Sequence, residues 1–231
     1  MVVYRTPSAR ESGIWSAMGV TVADDGTVYV ATGNGSNSSS FDYSNSVLQL
    51  SPDLKLQGYF APSNWRALDA GDIDLGSVGV ALMSDLGVLV SVGKEGVAYV
   101  LKIAGLGGIG GQVAAQHVCA GAFGGSAWNG STVYLPCTDA LVAVAVAATG
   151  VGVRTLWRAV QVHMGSPIVA AGAVWAIDVD TATLFAVDPD SGASLYSLGL
   201  GSAVHFSTPA ATQGYVVAPA GSTVVAVATG P

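Results

Sequence analysis

The stretch Gly172-Ala-Val-Trp-Ala-Ile-Asp-Val-Asp-Thr-Ala-Thr-Leu-Phe-Ala-Val-Asp-Pro-Asp-Ser-Gly192 decides the fold. Two runs of alternating β-branched and aromatic residues flank an Asp-Val-Asp-Thr turn, and a Pro-Asp-Ser-Gly turn follows. This is the pattern of two successive antiparallel strands. The unit recurs. Gly172-Ala-Val-Trp returns as Gly214-Tyr-Val-Val 42 residues later, and His163 and Pro167 return as His205 and Pro209 at the same offset. The same strand start stands upstream at Ser131-Thr-Val-Tyr, Gly87-Val-Leu-Val and Gly26-Thr-Val-Tyr. Five copies, at a usual spacing of about 40 to 45 residues with room for four short strands each, predict an all-β β-propeller.

A chain of 231 residues can hold such an array as one domain, residues 1–231. Four-stranded antiparallel blades are expected at about 14–60, 75–118, 120–159, 160–200 and 205–231. Blade five runs out before its fourth strand. The strand-like residues 2–5, within segment 1–6, are a candidate to complete it and close a five-bladed ring. Membership of a seven- or eight-bladed ring is the open alternative. Two insertions stretch the first repeat interval to 61 residues: a Gly/Ser-rich loop at 33–45 and a connection at 61–74. A Gly-rich segment at 105–111 reads as a turn inside blade two, because no helix pattern follows to make it a phosphate loop.

The composition is 51% hydrophobic and 10% charged, with 31 glycines, as expected of short apolar strands joined by tight turns. The longest apolar run, residues 140–148, falls far short of the ~20 residues of a spanning helix, so no transmembrane segment is expected. A net charge of -7 with eight scattered Lys and Arg argues against a nucleic-acid partner. Protein, polymer or small-molecule ligands remain as partners. No cleavable export signal is visible in Met1-Val-Val-Tyr-Arg, which enters strand-like sequence at once.

The segment Ala186-Val-Asp-Pro-Asp-Ser-Gly-Ala-Ser-Leu-Tyr196 resembles the tryptophan-docking repeat of the pyrroloquinoline-quinone (PQQ)-like propellers, Ala-x-Asp-x-x-Thr-Gly-x-x-x-Trp. Here Ser191 stands for Thr and Tyr196 for Trp. Blade three keeps a looser version in Thr149-Gly150 and Trp157, and Gly13-Ile-Trp and Gly26-Thr-Val-Tyr-Val-Ala-Thr-Gly-Asn-Gly are similar to blade openings of secreted bacterial members. The resemblance implies one of two things. One is a PQQ- and calcium-dependent quinoprotein oxidoreductase of the alcohol or sugar dehydrogenase type. The other is a non-catalytic relative such as the outer-membrane assembly lipoprotein propeller. The enzymes cover the quinone with a disulfide between neighbouring cysteines and hold calcium through Glu, Asn and Asp. This chain has no adjacent cysteines, and those ligands find no matching positions. An extracytoplasmic, non-catalytic binding or scaffold module is therefore the favoured expectation.

In a propeller, the loops joining the second to the third strand emerge on the same face as those joining one blade to the next, and function usually sits there. Asp42, Asp69, Asp72, Asp74, Glu95, Asp139, Asp178 and Asp180 are expected on that face against only Arg66 and Lys94. An acidic face follows, as a solvated rim or, less favoured, a calcium site. His163 and His205 open adjacent blades and are expected to point toward the channel mouth. Two imidazoles among carboxylates fit metal binding, acid/base work or simple packing. The candidate ligand-binding residues are His163, His205, Asp69, Asp72, Asp74, Trp65 and Arg66, with Asp72, Asp74, His163 and His205 as metal candidates. Trp15 or Trp65 would serve a lectin-like binder. His117 is expected to be merely exposed before blade three. Asn34, Asn37 and Asn129 head glycosylation sequons, a weak signal.

Cys119 and Cys137 fall on the same face with a register slightly off direct pairing, which leaves a disulfide or two buried thiols. Secreted relatives of the family pair similar Cys-Ala-Gly-Ala-Phe-Gly-Gly and Leu-Pro-Cys-Thr-Asp segments. The resemblance thus implies a disulfide and an oxidising compartment.

Overall fold

Short apolar runs punctuated by Gly, Asp and Asn turns fold, in the computed structural model, into five meanders. Residues 1–36, 39–147, 151–159 and 162–229 are described. Sheet one holds β1 (Thr21–Val22), β2 (Val28–Ala31), β3 (Val47–Leu50) and β4 (Leu56–Ala61). Sheet two holds β5 (Ala81–Met83), β6 (Val88–Ser91), β7 (Val97–Lys102) and β9 (Ala114–His117), with β8 (Gly108–Ile109) in the turn before β9. Sheet three comprises β10 (Ala127–Asn129), β11 (Thr132–Pro136), β12 (Leu141–Val146) and β13 (Val153–Ala159). Sheet four comprises β14 (Ile168–Ala170), β15 (Ala173–Asp178), β16 (Thr183–Val187) and β17 (Ser194–Gly199). Sheet five has β18 (Ala210–Thr212), β19 (Tyr215–Ala220) and β20 (Thr223–Ala228). Within each meander the strands pair antiparallel in chain order.

Side chains of a strand alternate between its two faces, so each sheet offers one apolar set to each neighbour. Tyr29, Val47 and Phe60 of sheet one interlock with Leu82, Leu89 and Leu101 of sheet two. Val90 and Val100 meet Val133, Leu135 and Val142 of sheet three. Tyr134, Leu141 and Ala143 meet Val174, Ala176 and Val187 of sheet four. Trp175, Ile177 and Leu184 meet Val216 and Ala218 of sheet five. The core therefore lies between successive sheets, each buried aliphatic side chain adding about 1.5–3 kcal/mol.

The tryptophan-docking motif works across one of these seams. Asp188 Oδ1 accepts the N–H groups of Asp190 (3.1 Å) and Ser191 (2.8 Å) and the Ser191 hydroxyl (2.7 Å), which shapes the turn after β16. Trp157 of β13 seats on that turn and donates its indole N–H to the Pro189 carbonyl at 3.0 Å. Gly192 has φ +71°, and a Cβ there would lie 2.8 Å from the Trp157 ring. Only glycine fits both the backbone and the contact.

Four expectations are corrected. Residues 2–5 form no strand; Tyr4 instead packs with Tyr43 and Tyr59 against Val30, Leu48 and Leu50, covering the far face of sheet one. Among the described residues, sheet five has three strands. The 33–45 loop is more than a polar surface loop, because Phe41 packs edge-on against Trp65 (centroids 5.2 Å apart) and Tyr43 edge-on against Tyr59 (5.0 Å). The 61–74 connection contains a helix, α1 (Trp65–Ala70). The 105–111 turn supplies β8, which pairs in parallel with β4 and covers its edge, Gly110 N–H bonding to Ala61 O at 2.8 Å. His117 ends β9 and is exposed. Asn37 and Thr149-Gly150 lie outside the described residues. Among the described residues, no helix is long and apolar enough to cross a membrane.

Candidate functional site

The loops after the second strand of each sheet meet the connections between sheets on one face, through contacts that can be followed residue by residue. Asp69, on α1, is 7% exposed and accepts from Gly35 N–H (2.8 Å), Ser44 Oγ (2.8 Å) and Asn45 Nδ2 (2.9 Å). It holds the 33–45 loop down. Burial pushes its pKa up, against the pull of those three donors and with a smaller push from Asp42. Asn45 completes the clamp by accepting the Leu75 N–H at 2.7 Å. Trp65 is 1% exposed, with Phe41 on its edge and the Arg66 guanidinium 4.5 Å from its ring centroid.

Asp74 is 1% exposed and accepts the Asn34 N–H at 2.8 Å. Its other oxygen lies 2.5 Å from Lys94 Nζ, which also reaches Asp72 Oδ2 at 3.3 Å and sits 5.4 Å from the Trp15 ring centroid. Burial works against the Lys94 charge, but the Asp74 and Asp72 carboxylates outweigh it and hold the pKa above the ordinary lysine value. Glu95 accepts from Tyr99 Oη (2.6 Å) and Asn64 Nδ2 (2.7 Å). Burial and that carboxylate push the Tyr99 pKa far up. Asp139 takes the Arg158 guanidinium at 2.7 Å. Asp178, 1% exposed, caps its own turn by accepting from Asp180 N–H (2.9 Å) and the Thr181 hydroxyl.

Cys119 and Cys137 are bonded to each other, tying the connection after β9 to the end of β11. His163 and His205 come together at the rim of sheets four and five, ring centroids 5.5 Å apart. His163 Nδ1 stands 3.5 Å from Asp180 Oδ1. His205 packs edge-on to Phe206 (4.1 Å) and Phe123 (5.3 Å). Loss of hydration and the nearby His163 lower the His205 pKa, with Asp180 opposing.

Sequence reasoning missed the devices that hold the rim together. A Gly-Ser pair precedes the first strand at 76–77, 125–126 and 165–166, and the serines are buried. Ser77 Oγ donates to Ala122 O at 2.8 Å, linking sheets two and three, and Ser166 Oγ accepts the Gly125 N–H at 2.9 Å, linking three and four. Gly165 packs so near Ser207 O that a Cβ would approach it to 2.5 Å. The recurring Gly-Ser was the available signal.

Calcium or PQQ is poorly matched by these residues. The Lys94 ammonium stands where a cation shared by Asp72 and Asp74 would stand, and the disulfide joins cysteines 18 residues apart. Among the described residues, the one set of three His, Cys, Asp or Glu ligand atoms within 4.8 Å is Cys119, Cys137 and Asp139, whose sulfurs are bonded to each other.

No family model and no curated protein matches the chain. Solved structures do. BamB from Moraxella catarrhalis is similar with a TM-score of 0.66 at 16% identity, over 91% of this chain and 60% of that one. The Cps50 (Swd1) β-propeller domain of Myceliophteria thermophila gives 0.61 at 12% identity, over 87% and 62%. Quinohemoprotein alcohol dehydrogenase from Comamonas testosteroni gives 0.61 at 16% identity, over 90% and 44%. The chain thus spans less than two thirds of each of these structures, and it has the β-propeller fold.

Proposed function

We propose that this chain is an extracytoplasmic, PQQ-like propeller that serves as a non-catalytic binding or scaffold module through its loop face. One observation carries the reading: the ionisable groups of that face are engaged by the protein's own loops, while apolar groups beside them stand open. Asp69, Asp74, Asp139 and Asp178 each hold a loop or a cation in place. Trp15 (40% exposed) stands beside Lys94, and Phe206 (38%) stands beside His205. Large half-exposed aromatic rings on a preformed surface are the usual anchors of a protein partner. The disulfide on this face supports an oxidising compartment.

A second reading, a quinoprotein oxidoreductase, is favoured by the His163, His205 and Asp180 cluster and by the dehydrogenase fold match. Two assays separate the readings. With PQQ, calcium and a dye acceptor, alcohols and sugars are expected to give no saturable turnover. Immobilised chain is expected to retain a protein from an envelope extract, and the Trp15→Ala/Phe206→Ala variant to lose it. Saturable turnover that disappears in His163→Ala overturns the module reading.

A further inference from the structure

The backbone beneath His163 and His205 is held from several sides. Val179 N–H donates to His163 O at 3.1 Å and Gly165 N–H to Ile177 O at 2.7 Å, which ties the segment before β14 to the turn after β15. That turn carries Asp180, and Asp178 shapes it by accepting the Asp180 N–H at 2.9 Å. His205 sits in a second tight turn, closed by Ser207 N–H on Val204 O (2.9 Å) and by Val204 N–H on Ser207 Oγ (3.0 Å). Gly165 meets Ser207 O so closely that a Cβ would come within 2.5 Å, so the His163 and His205 segments touch backbone to backbone.

Three side chains with metal-binding atoms thus approach one another from three connections. Asp178 uses both oxygens on its own turn, whereas Asp180 is exposed and its carboxylate faces His163 Nδ1 at 3.5 Å. Two ligand atoms on one tetrahedral Zn2+, each at about 2.1 Å, lie about 3.4 Å apart, and two imidazoles on it have ring centres about 5.2 Å apart. The observed separations are 3.5 Å for His163 and Asp180 and 5.5 Å for the two rings. His205 is the ligand that has to adjust, because among the described residues these three do not bring one atom each within 4.8 Å of the others. Its exposed ring contacts Phe123, Phe206 and His163 and, among the described residues, makes no hydrogen bond, so its side-chain torsions can turn a nitrogen inward. Loss of hydration and the nearby His163 also favour the neutral form of His205, the form that ligates.

We propose that His163, His205 and Asp180 bind one transition-metal ion of the Zn2+ class, with water completing the shell. Two imidazoles and a carboxylate suit Zn2+, Ni2+ or Cu2+, whereas Ca2+ takes about six to eight oxygens. The site is separate from Asp72 and Asp74, where the Lys94 ammonium already stands between the carboxylates. An ion at His163 and His205 would tie the connection entering sheet four to the one entering sheet five. Neither PQQ nor a protein partner is needed for it, so its test is independent of the module reading.

Calorimetric titration of the untagged chain with Zn2+ at neutral pH tests the site, beside proton NMR of the imidazoles. The chain has three histidines, and His117, exposed at the end of β9, is the internal control. Saturable binding of one Zn2+ per chain is expected, with the His163 and His205 ring signals shifting together and the His117 signal unmoved. His163→Gln and His205→Gln, each with an unchanged circular dichroism spectrum, are expected to weaken binding by more than the roughly tenfold typical of losing a supporting residue. Asp180→Asn is expected to weaken it about tenfold, and His117→Gln to leave it unchanged. Absence of saturable binding, wild-type affinity in either His163→Gln or His205→Gln, or a loss in His117→Gln overturns the proposal.

Discussion

Trp157 of one sheet donates its indole N–H to Pro189 of the next, 32 residues away, and the glycine that ends this turn touches the same ring. One aromatic and one turn thus add a directional link to the apolar seam between sheets three and four. Gly192→Ala is expected to lower stability by about 1–3 kcal/mol, from the left-handed backbone alone. Trp157→Phe, which keeps a ring but loses the donor, is expected to cost about 1 kcal/mol. Urea unfolding monitored by tyrosine fluorescence measures both.

Lys94→Met leaves Asp74 buried without its cation, and an expected loss of about 3–5 kcal/mol follows. A lysine whose folded pKa lies above its unfolded value contributes stability below the unfolded value and loses it as pH rises through the folded one. The gap in melting temperature between wild type and variant should therefore persist from neutral pH to about 10.4 and close only above it. Thermal melts across that range read it directly.

Reducing the Cys119–Cys137 bond frees a loop with a sequence separation of 18, and a loop of this length contributes about 3 kcal/mol. Melting with and without reductant, beside the Cys119→Ala/Cys137→Ala variant, should show matching losses.

His205 is expected to titrate below the ordinary histidine value of about 6.5 in proton NMR. His163→Ala should raise its midpoint by removing a repelling charge, and Asp180→Asn should lower it further. The unfolded chain binds this proton more readily, so stability should fall as pH drops from about 6.5 toward the lowered value. His205→Gln should flatten that slope.

The repeat was legible because strands of one meander follow each other within a few residues, so Gly172 and Gly214 announce equivalent positions without tertiary knowledge. The same periodicity pointed to His163 and His205 at one rim, where the structure sets them 5.5 Å apart. Contacts without period were invisible. Asp69 reaches Gly35 across 34 residues, and Phe41 meets Trp65 between two insertions that match no other blade. Residues 2–5 alternate like a strand, but alternation records a half-buried backbone and does not name the surface that buries Tyr4. The acidic tally also hid pairing: composition counts a carboxylate the same way whether it faces water or, like Asp74 and Asp178, is 1% exposed.

Thermal unfolding in about 10 mM calcium against chelator, at neutral pH, tests the claim that the loop face is held by its own side chains. An unchanged melting temperature is the expected result, because Lys94 already occupies the position between Asp72 and Asp74. A rise of several degrees in calcium, abolished by Asp72→Asn, would contradict it.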